Sequence, residues 1–413
     1  MSRSTGKIIT RTALAIAAAA LCFIAGAHWG RPMFPGLAPR HARGSSTTAH
    51  FRAGPSGVKG TATTTSTPSD SPALAMWAEF DRQPALLIGA SETLKTSPKL
   101  LADLARLLHR DITLVGLVKT DAEARLGRTL LDRYFLPRSA MQFVVIPHNS
   151  SWVRDFGPLF VQRADGSPLI LDPTIPRGKR GEFKAGNENL PAEIARRMGL
   201  PCRKVDLIVE GGNLLTNGDG LVLTSTTFIG RNVDKGLTKD QIGQMLNREM
   251  GFRQWVHLRL PENEPTQHVD MFVAFLATDL AVVAEMDPRH DADAARVLDA
   301  AAATLRGQPT NDGPMRVYRI PMPGPTEGRW RSYTNIILAD DVLVMPRYSD
   351  ADPDIQRRAR EVYLSLCPRR RVVEMSADRL IKGNGSLHCF TQHIPGFVPV
   401  ESIEKLLAAT DGK

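Results

Sequence analysis

The fold is decided by the stretch Asn213-Leu214-Leu215-Thr216-Asn217-Gly218-Asp219-Gly220-Leu221-Val222-Leu223-Thr224-Ser225, which predicts a β-hairpin. Asn-Gly between two apolar runs is a strong signal for a tight turn that joins antiparallel strands. Similar hairpin patterns occur at Trp152–Val161 with Leu169–Asp172, at His268–Val283 and at Tyr333–Met345. A hairpin roughly every 60 residues is the spacing at which a repeated architecture is expected.

Helical periodicity separates these hairpins, and an apolar β-run follows each helix. The predicted helices cover residues 92–109, 121–135, 189–198, 238–250, 291–305 and 353–365. The predicted β-runs cover residues 112–118, 143–146, 204–209, 255–260, 317–320 and 371–375. The alternation excludes an all-β sandwich, and the hairpins distinguish it from a plain parallel βαβ series. About five such units fit between residues 76 and 400, which suggests a closed ring whose equivalent positions converge on one axis.

The charge of the chain is concentrated at its N-terminus. The 413 residues carry a formal charge of +9, with 42% hydrophobic and 23% charged residues, an ordinary globular composition. Residues 1–75 hold eight Lys or Arg and one Asp, a net charge of +7, so the rest of the chain carries only +2. The high isoelectric point is therefore no argument for nucleic-acid binding by the folded part.

The N-terminal residues are predicted to be a targeting segment followed by a linker. Residues 1–27 combine a basic start, a short apolar run and an Ala25-Gly26-Ala27 ending, which is typical of a secretory signal peptide. An uncleaved membrane anchor remains open, so the protein is expected to be exported or anchored. Residues 28–75 are rich in Gly, Pro, Ser and Thr and are expected to be a disordered linker. Residues 76–413 are then expected to form a single catalytic domain.

The cysteines do not indicate a metal site. Cys22, Cys202, Cys367 and Cys389 include no CxxC pair and no Cys/His cluster with ligand spacing. Cys22 lies in the apolar N-terminal run, and its removal would leave at least one thiol unpaired. Cys389 is the candidate for that free thiol, whereas a disulfide between Cys202 and Cys367 stays open in an oxidising compartment.

Chemically active side chains lie at or just before the predicted hairpins. They are Asp155, Glu210, His268, Asp270 and Cys389. Taken singly, each has a plainer interpretation as a surface carboxylate, a structural histidine or a buried thiol. His268 and Asp270 are spaced so that both side chains are expected on one face of a strand. Glu210 stands beside Gly211 and Gly212, which either leave room for a ligand or form a β-bulge.

Together these groups suit covalent chemistry on a cation. Cys389 ends the flexible run Gly383-Asn384-Gly385-Ser386-Leu387-His388, which can aim a side chain into a cavity. A guanidinium is a planar cation that carboxylates bind through paired hydrogen bonds. A neighbouring positive charge stabilises the thiolate, the reactive form of cysteine. A histidine in the same site can act as general acid and then as general base.

At this point the sequence resembles a known family. The motifs WVRDFGP (152–158), EGGN (210–213), HVD (268–270), SYTN (332–335) and GNGSLHCFTQ (383–392) stand in the order of the agmatine deiminase and bacterial peptidylarginine deiminase family. That family belongs to the guanidino-group modifying (pentein) superfamily, and the resemblance covers about residues 76–400. It implies a five-bladed α/β propeller of ββαβ-type units, with no metal and no organic cofactor.

The resemblance also implies a role for each residue. Cys389 would attack the guanidinium carbon, Asp155 and Asp270 would hold the guanidinium nitrogens, and His268 would protonate the leaving ammonia and then activate water. Glu210 would orient His268 or the substrate. The expected substrate-binding residues are Asp155, Asp270, Trp152, Arg154, Asn213, Asn335 and Arg177. The implied intermediate is a covalent thiouronium, and the products are a ureido group and ammonia.

The substrate stays open, because the sequence departs from the family beside the motifs. Ser386, Leu215 and His393 stand where agmatine deiminases usually have Asn, His and Gln. The first hypothesis is a deiminase of agmatine or a related small guanidine. The second is a peptidylarginine deiminase, in which the basic residues Arg177, Lys179 and Arg180 would recognise a C-terminal carboxylate, unless they form only a solvated loop.

Three other functions are alternatives to a deiminase. An amidinotransferase would use the same thiol chemistry with an amine as acceptor instead of water. A non-catalytic guanidine-binding protein would have no need of a nucleophile such as Cys389. A papain-like protease usually has its cysteine before its histidine, and here His268 precedes Cys389.

Overall fold

Five β-sheets of the same design organise residues 74–176 and 186–408, which the computed structural model describes. The strands are β1 (Leu74–Ala75), β2 (Ala85–Gly89), β3 (Thr113–Val118), β4 (Gln142–Val145), β5 (Leu159–Arg163), β6 (Pro168–Thr174), β7 (Cys202–Ile208), β8 (Leu215–Thr216), β9 (Leu221–Ser225), β10 (Gln254–Leu258), β11 (Val273–Ala277), β12 (Leu280–Met286), β13 (Pro309–Thr310), β14 (Gly313–Pro314), β15 (Arg316–Met322), β16 (Ile337–Ala339), β17 (Val342–Arg347), β18 (Arg371–Ser376) and β19 (Thr391–Ile394). The helices are α1 (Ala90–Thr96), α2 (Pro98–Leu108), α3 (Asp121–Arg133), α4 (Val153–Phe156), α5 (Leu190–Met198), α6 (Thr226–Asp234), α7 (Lys239–Met250), α8 (Ala292–Leu305), α9 (Pro353–Leu366) and α10 (Val400–Ala408).

Each sheet contains an antiparallel strand pair, a hairpin in four of the five sheets, and one strand of the pair also pairs in parallel with a third strand. The sheets run β1-β5-β6-β7, β8-β9-β10, β11-β12-β15, β16-β17-β18 and β19-β2-β3-β4. One or two helices lead from this pair to the third strand in every case. The repeated unit predicted from the sequence is therefore confirmed. In the last sheet β19 pairs antiparallel with β2, so the end of the described chain joins its beginning.

Local sequence explains the elements that were predicted best. The hairpin of β8 and β9 turns through Gly218 and Gly220, whose φ angles of +73° and +78° favour glycine. Thr238 and Gln241 form a capping box at the start of α7, and Gly251 ends that helix in the left-handed conformation. All five residues of β2 and of β9 are buried, as expected of strands covered by helices on one side and by a neighbouring sheet on the other.

Several local predictions are wrong because short segments carry no periodicity. The helix predicted at 92–109 is two helices, since Ser97 leaves the helical conformation before Pro98 starts α2. The segment after Trp152 is the one-turn helix α4, and the strand begins only at Leu159. His268 and Asp270 do not share a strand face, because a 3-10 turn spans Val269–Met271. Helices α6 and α10 were not predicted.

The remaining predictions concern the cysteines, the linker and two segments that lie outside the described residues. Cys202 and Cys367 do not pair, since both are free. The predicted linker, 28–75, ends slightly too late, because Leu74 and Ala75 pair with β5. Residues 1–73, which include Cys22, and residues 177–185, which include Arg177, Lys179 and Arg180, are not described. Within the part that is described, no helix has the length and apolar character that crossing a bilayer requires.

Candidate active site

The same position in each sheet supplies one part of a single site. In every unit, that position is the short segment immediately before the first strand of the hairpin. Asp155 lies in α4 before β5, Glu210 precedes β8, Asp270 precedes β11, Asn335 precedes β16 and Cys389 precedes β19. The prediction that the chemical residues stand at or just before the hairpins is confirmed. One-turn helical segments, such as the 3-10 turns Gly211–Asn213 and Val269–Met271, bend the chain there.

The predicted catalytic side chains meet in the interior. His268 Nε2 lies 3.3 Å from Glu210 Oε2, and His268 Nδ1 lies 3.5 Å from Asp155 Oδ1. Cys389 Sγ lies 3.6 Å from Asp270 Oδ2. Each of these side chains is buried or nearly so. The five residues singled out for chemistry are thus brought together from four sheets.

Gly212 is packed closely against three of these groups. A Cβ atom at this position would lie 2.8 Å from His268 Nδ1, 2.9 Å from Asp270 Oδ2 and 3.0 Å from Asp155 Oδ1. These distances are too short for a side-chain carbon, so any residue other than glycine would displace the three side chains. The Gly212 N–H also donates to Asp155 Oδ1 at 3.2 Å.

Asn335 fixes the position of Cys389. Its Nδ2 donates to Cys389 Sγ at 3.2 Å. Its Oδ1 accepts from the backbone N–H groups of His388 at 2.9 Å and Cys389 at 3.2 Å. One fully buried amide therefore fixes both the backbone and the sulfur of Cys389, and its N–H favours a negative charge on that sulfur.

The site carries an excess of negative charge. Burial, and after it the charges of Asp270 and Asp155, raise the pKa of the Cys389 thiol well above its ordinary value. Burial also raises the pKa of the Asp155 carboxyl, with Asp270 adding to this effect and His268 opposing it. A cation bound among these groups would relieve both effects. The site is therefore suited to a positively charged ligand.

Glu210 contacts His268 on the side away from Asp155. Its Oε2 atom faces His268 Nε2, and the same oxygen pairs with the guanidinium of Arg231 from α6. A carboxylate held between two basic side chains keeps a fixed direction.

Behind the nucleophile lies a second buried group of charges. His388 Nδ1 lies 2.7 Å from Asp270 Oδ2, and His388 Nε2 lies 2.8 Å from Glu79 Oε2. Glu79 also pairs with Arg154, and Arg154 Nη2 lies 3.2 Å from His393 Nδ1. Neither Glu79 nor His388 is a site residue predicted from the sequence. No local pattern marks Glu79, which stands alone between β1 and β2.

Other residues of the predicted substrate-binding set contact neighbouring parts of the protein. The side chain of Arg154 turns away from Asp155 and pairs with Glu79. The amide of Asn213 exchanges hydrogen bonds with Ser225, at 2.8 Å and 2.9 Å, which fixes the turn instead. The ring of Trp152 packs against the glycine run, since a Cβ at Gly385 would lie 2.5 Å from it. Arg177 is outside the described residues.

Comparison with known proteins places the chain among guanidine-modifying enzymes. Residues 71–395 match the family of Porphyromonas-type peptidyl-arginine deiminases. The agmatine deiminase of Stutzerimonas stutzeri is 26% identical over 303 residues, which make up 64% of this chain and 81% of that protein. The agmatine deiminase of Pseudomonas syringae pv. tomato is 25% identical over 294 residues, covering 62% of this chain and 77% of that protein.

A solved structure shows the same architecture. The agmatine deiminase of Enterococcus faecalis matches with a TM-score of 0.66 at 20% identity, covering 78% of this chain and 96% of that one. At this level of identity the match concerns the fold. The two proteins share a mixed α/β architecture.

Proposed function

This chain belongs to the Porphyromonas-type peptidyl-arginine deiminase family, and on that premise we propose that it hydrolyses the guanidinium group of agmatine or a related guanidine. The single observation that carries this proposal is the convergence of acidic side chains beside Cys389. The carboxylates of Asp155 and Asp270 and the imidazole of His268 meet next to that thiol. A guanidinium carries the positive charge and the several N–H donors that such a cluster would bind.

The first half of the reaction forms a covalent intermediate. Asp155 and Asp270 hold the guanidinium nitrogens, and the substrate cation favours the thiolate of Cys389. The thiolate attacks the guanidinium carbon and forms a carbon–sulfur bond. His268 gives a proton to one nitrogen, which leaves as ammonia, so that the substrate becomes a thiouronium attached to Cys389.

The second half releases the product. His268, now neutral, takes a proton from a water molecule that attacks the thiouronium carbon. The carbon–sulfur bond then breaks, the Cys389 thiolate is restored, and the product carries a ureido group. From agmatine this product is N-carbamoylputrescine, an intermediate of putrescine biosynthesis. Glu210 keeps His268 in the orientation that both halves require.

A peptide ending in arginine is the second candidate substrate. The family that the chain matches is described as peptidyl-arginine deiminases, whereas the similar curated proteins are agmatine deiminases. The two substrates differ at the end remote from the guanidinium, where agmatine has a cation and a C-terminal arginine has a carboxylate. The basic residues Arg177, Lys179 and Arg180 would suit the carboxylate.

One assay separates these functions. Ammonia and ureido product are measured with agmatine, with free arginine and with a peptide ending in arginine, using Cys389→Ala as the blank. Turnover of agmatine alone supports the small-guanidine reaction, and turnover of the peptide supports the second candidate. An amidino transfer would yield product only when an amine acceptor is added. Turnover by Cys389→Ala, or no reaction of any guanidine in either assay, would contradict a deiminase.

We also propose that the five sheets close into a five-bladed propeller, a pentein ring. Equivalent positions of five sheets supply one site, and β19 joins β2, as closure requires. Residues 76–413 would then be one catalytic domain. A crystal structure with the five sheets around one axis would support the ring, and sheets in an open row would contradict it.

The N-terminal segment is proposed to export or anchor this domain. Intact mass measured after expression in a bacterial host tests the idea. A chain beginning after Ala27 in the periplasm supports a cleaved signal, and a full-length chain in the membrane fraction supports an anchor. A full-length chain that stays in the cytosol would contradict both.

A further inference from the structure

Glu79 is a buried carboxylate that the proposed reaction does not use. It lies between β1 and β2, and its side chain enters the group of charges behind Cys389. Oε2 faces His388 Nε2 at 2.8 Å, and Oε1 faces Arg154 and, at 3.4 Å, His393 Nδ1. His393 Nε2 in turn lies 2.8 Å from the carbonyl oxygen of Leu338, a hydrogen-bond acceptor.

His388 connects this carboxylate to the reacting atoms. Its two ring nitrogens lie 2.7 Å and 2.8 Å from carboxylate oxygens of Asp270 and Glu79. A neutral imidazole has one N–H and can donate to only one of them, whereas an imidazolium donates to both. The geometry therefore requires the protonated ring whenever both carboxylates are ionised.

The charges around His388 favour the same state. Burial and the charge of Arg154 lower the pKa of His388, but Glu79 and Asp270 outweigh them, and the net pKa lies above its ordinary value. Burial opposes ionisation of Glu79, yet Arg154, His388 and His393 together hold the pKa of Glu79 well below its ordinary value. Glu79 and His388 thus form a buried ion pair with Asp270 on its far side.

We propose that Glu79 is a positioning residue, which holds His388 as an imidazolium that orients and partly neutralises Asp270 beside the sulfur of Cys389. This role rests on the proposed deiminase reaction. Asp270 Oδ2 is shared between His388 at 2.7 Å and Cys389 Sγ at 3.6 Å. A full negative charge so close to the sulfur opposes the thiolate, and an imidazolium on the same oxygen offsets part of that opposition.

A purely structural role for Glu79 makes a different prediction. Arg154 is buried and pairs with Glu79, so Glu79 could serve only to neutralise it. In that case the loss of the carboxylate would lower stability and would alter Cys389 reactivity by the same factor at every pH. If Glu79 acts through His388, its loss lets His388 deprotonate near neutral pH, and the effect on Cys389 grows as the pH rises.

The test follows the alkylation of Cys389 in the full chain without any substrate. Wild type and Glu79→Gln are treated with iodoacetamide between about pH 6 and about pH 9, where a released histidine would titrate. Mass spectrometry of the Cys389 peptide separates this thiol from Cys202 and Cys367, which are also free, and from Cys22 in the N-terminal segment. The expected ratio of rates, variant over wild type, is near unity at the acid end and falls about 3- to 10-fold at the alkaline end.

Two further variants keep the result interpretable. Glu123→Gln removes another buried glutamate, which binds Ser91 and the Lys119 backbone outside the site, and its ratio is expected to stay near unity throughout. His388→Gln cannot carry a charge, so its alkylation is expected to be slow at every pH. A ratio for Glu79→Gln that does not change with pH would overturn the proposal.

The outcome for Glu79 is distinguishable from that for the reaction itself. Turnover is measured in parallel, and kcat/KM is expected to fall about 100-fold in Glu79→Gln at alkaline pH. The reason is that a neutral His388 no longer holds Asp270 in position. Turnover together with a pH-independent alkylation ratio would support the deiminase function but reject the proposed role of Glu79. A pH-dependent ratio without turnover of any guanidine would reject the deiminase and keep the coupling between Glu79, His388 and Cys389.

Discussion

At the scale of single residues, the site depends as much on a missing side chain as on those present. Gly212 has no positive φ to explain it, yet any Cβ there would occupy the point where His268, Asp270 and Asp155 converge. The absence of a side chain at Gly212 therefore lets these three side chains approach one another. A glycine required by such close packing differs from one that permits a turn, and the two respond differently to alanine.

Gly212→Ala is expected to abolish turnover while leaving the protein folded. The added methyl group would displace the side chains of His268, Asp270 and Asp155, so kcat/KM should fall by about 100-fold or more. Steady-state kinetics and thermal unfolding measure the two effects. Gly230→Ala is the matched control, because Gly230 in α6 has no atom within 4 Å of a Cβ. It should retain activity and gain up to about 1 kcal/mol of stability, and equal losses in both variants would contradict the role of Gly212.

Asn335→Asp is expected to weaken the nucleophile without removing it. The substitution keeps an oxygen for the backbone N–H groups of His388 and Cys389 but replaces the donor at Cys389 Sγ by a carboxylate oxygen. The pKa of the thiol, already raised by Asp270 and Asp155, should rise further, and turnover should fall about 100- to 1,000-fold.

The rate of Cys389 alkylation as a function of pH checks this effect, since the curve should move to higher pH. Asn232→Asp is a suitable control, because Asn232 is also fully buried but lies in α6 and binds Ile208 and Phe228, away from Cys389. It should lower the stability of the protein and leave the alkylation curve in place. An unmoved curve in Asn335→Asp would show that the amide does not act on the sulfur.

At the scale of elements, the long periodic segments were predictable and the short ones were not. Helices α7, α8 and α9 show apolar spacing over three or more turns, and the Asn-Gly turn marks the β8–β9 hairpin. The one-turn helix α4 and the 3-10 turns contain three or four residues, too few for any period. This is why His268 and Asp270 were expected on a strand face.

The candidate site was more predictable than the elements that carry it. Cys389, His268, Asp155, Glu210 and Asp270 were found because each belongs to a local motif of distinctive composition. Glu79 and the direction of Arg154 could not be found in this way, since they depend on contacts between segments 75 residues apart or more. Local sequence reports which groups are present, and the tertiary fold decides which of them face the ligand.

Leu406→Ala tests the packing of the last helix, which the sequence analysis missed. Leu406 in α10 is fully buried in the core cluster that includes Ile194 and Met198 of α5. Removing its side chain should lower the free energy of unfolding by about 2–5 kcal/mol, measured by urea denaturation. Val400→Ala, at an exposed position of the same helix, should change it by about 0.5 kcal/mol or less. Similar losses in the two variants would contradict this packing.

At the scale of the whole molecule, no single sheet can form the proposed site by itself. Asp155, Glu210, Asp270, Asn335 and Cys389 precede the first strands of five different sheets. No single unit, and no pair of neighbouring units, contains the nucleophile, the histidine and both carboxylates of the proposed site. The relative positions of the sheets therefore set the geometry of the site, and the reactive groups separate as soon as the sheets do.

Activity and fold should consequently be lost together. In urea, deiminase activity and far-UV circular dichroism are expected to fall with the same midpoint, because every sheet contributes to the site. Leu406→Ala should move both midpoints to lower urea by the same amount, although Leu406 belongs to a core cluster that contains none of the five site residues. Activity that disappears at clearly lower urea than the dichroism signal would show that part of the site opens before the sheets separate. In that case the short, irregular segments before the first strands would unfold first. The geometry of the site would then depend on these segments and not on the arrangement of the sheets.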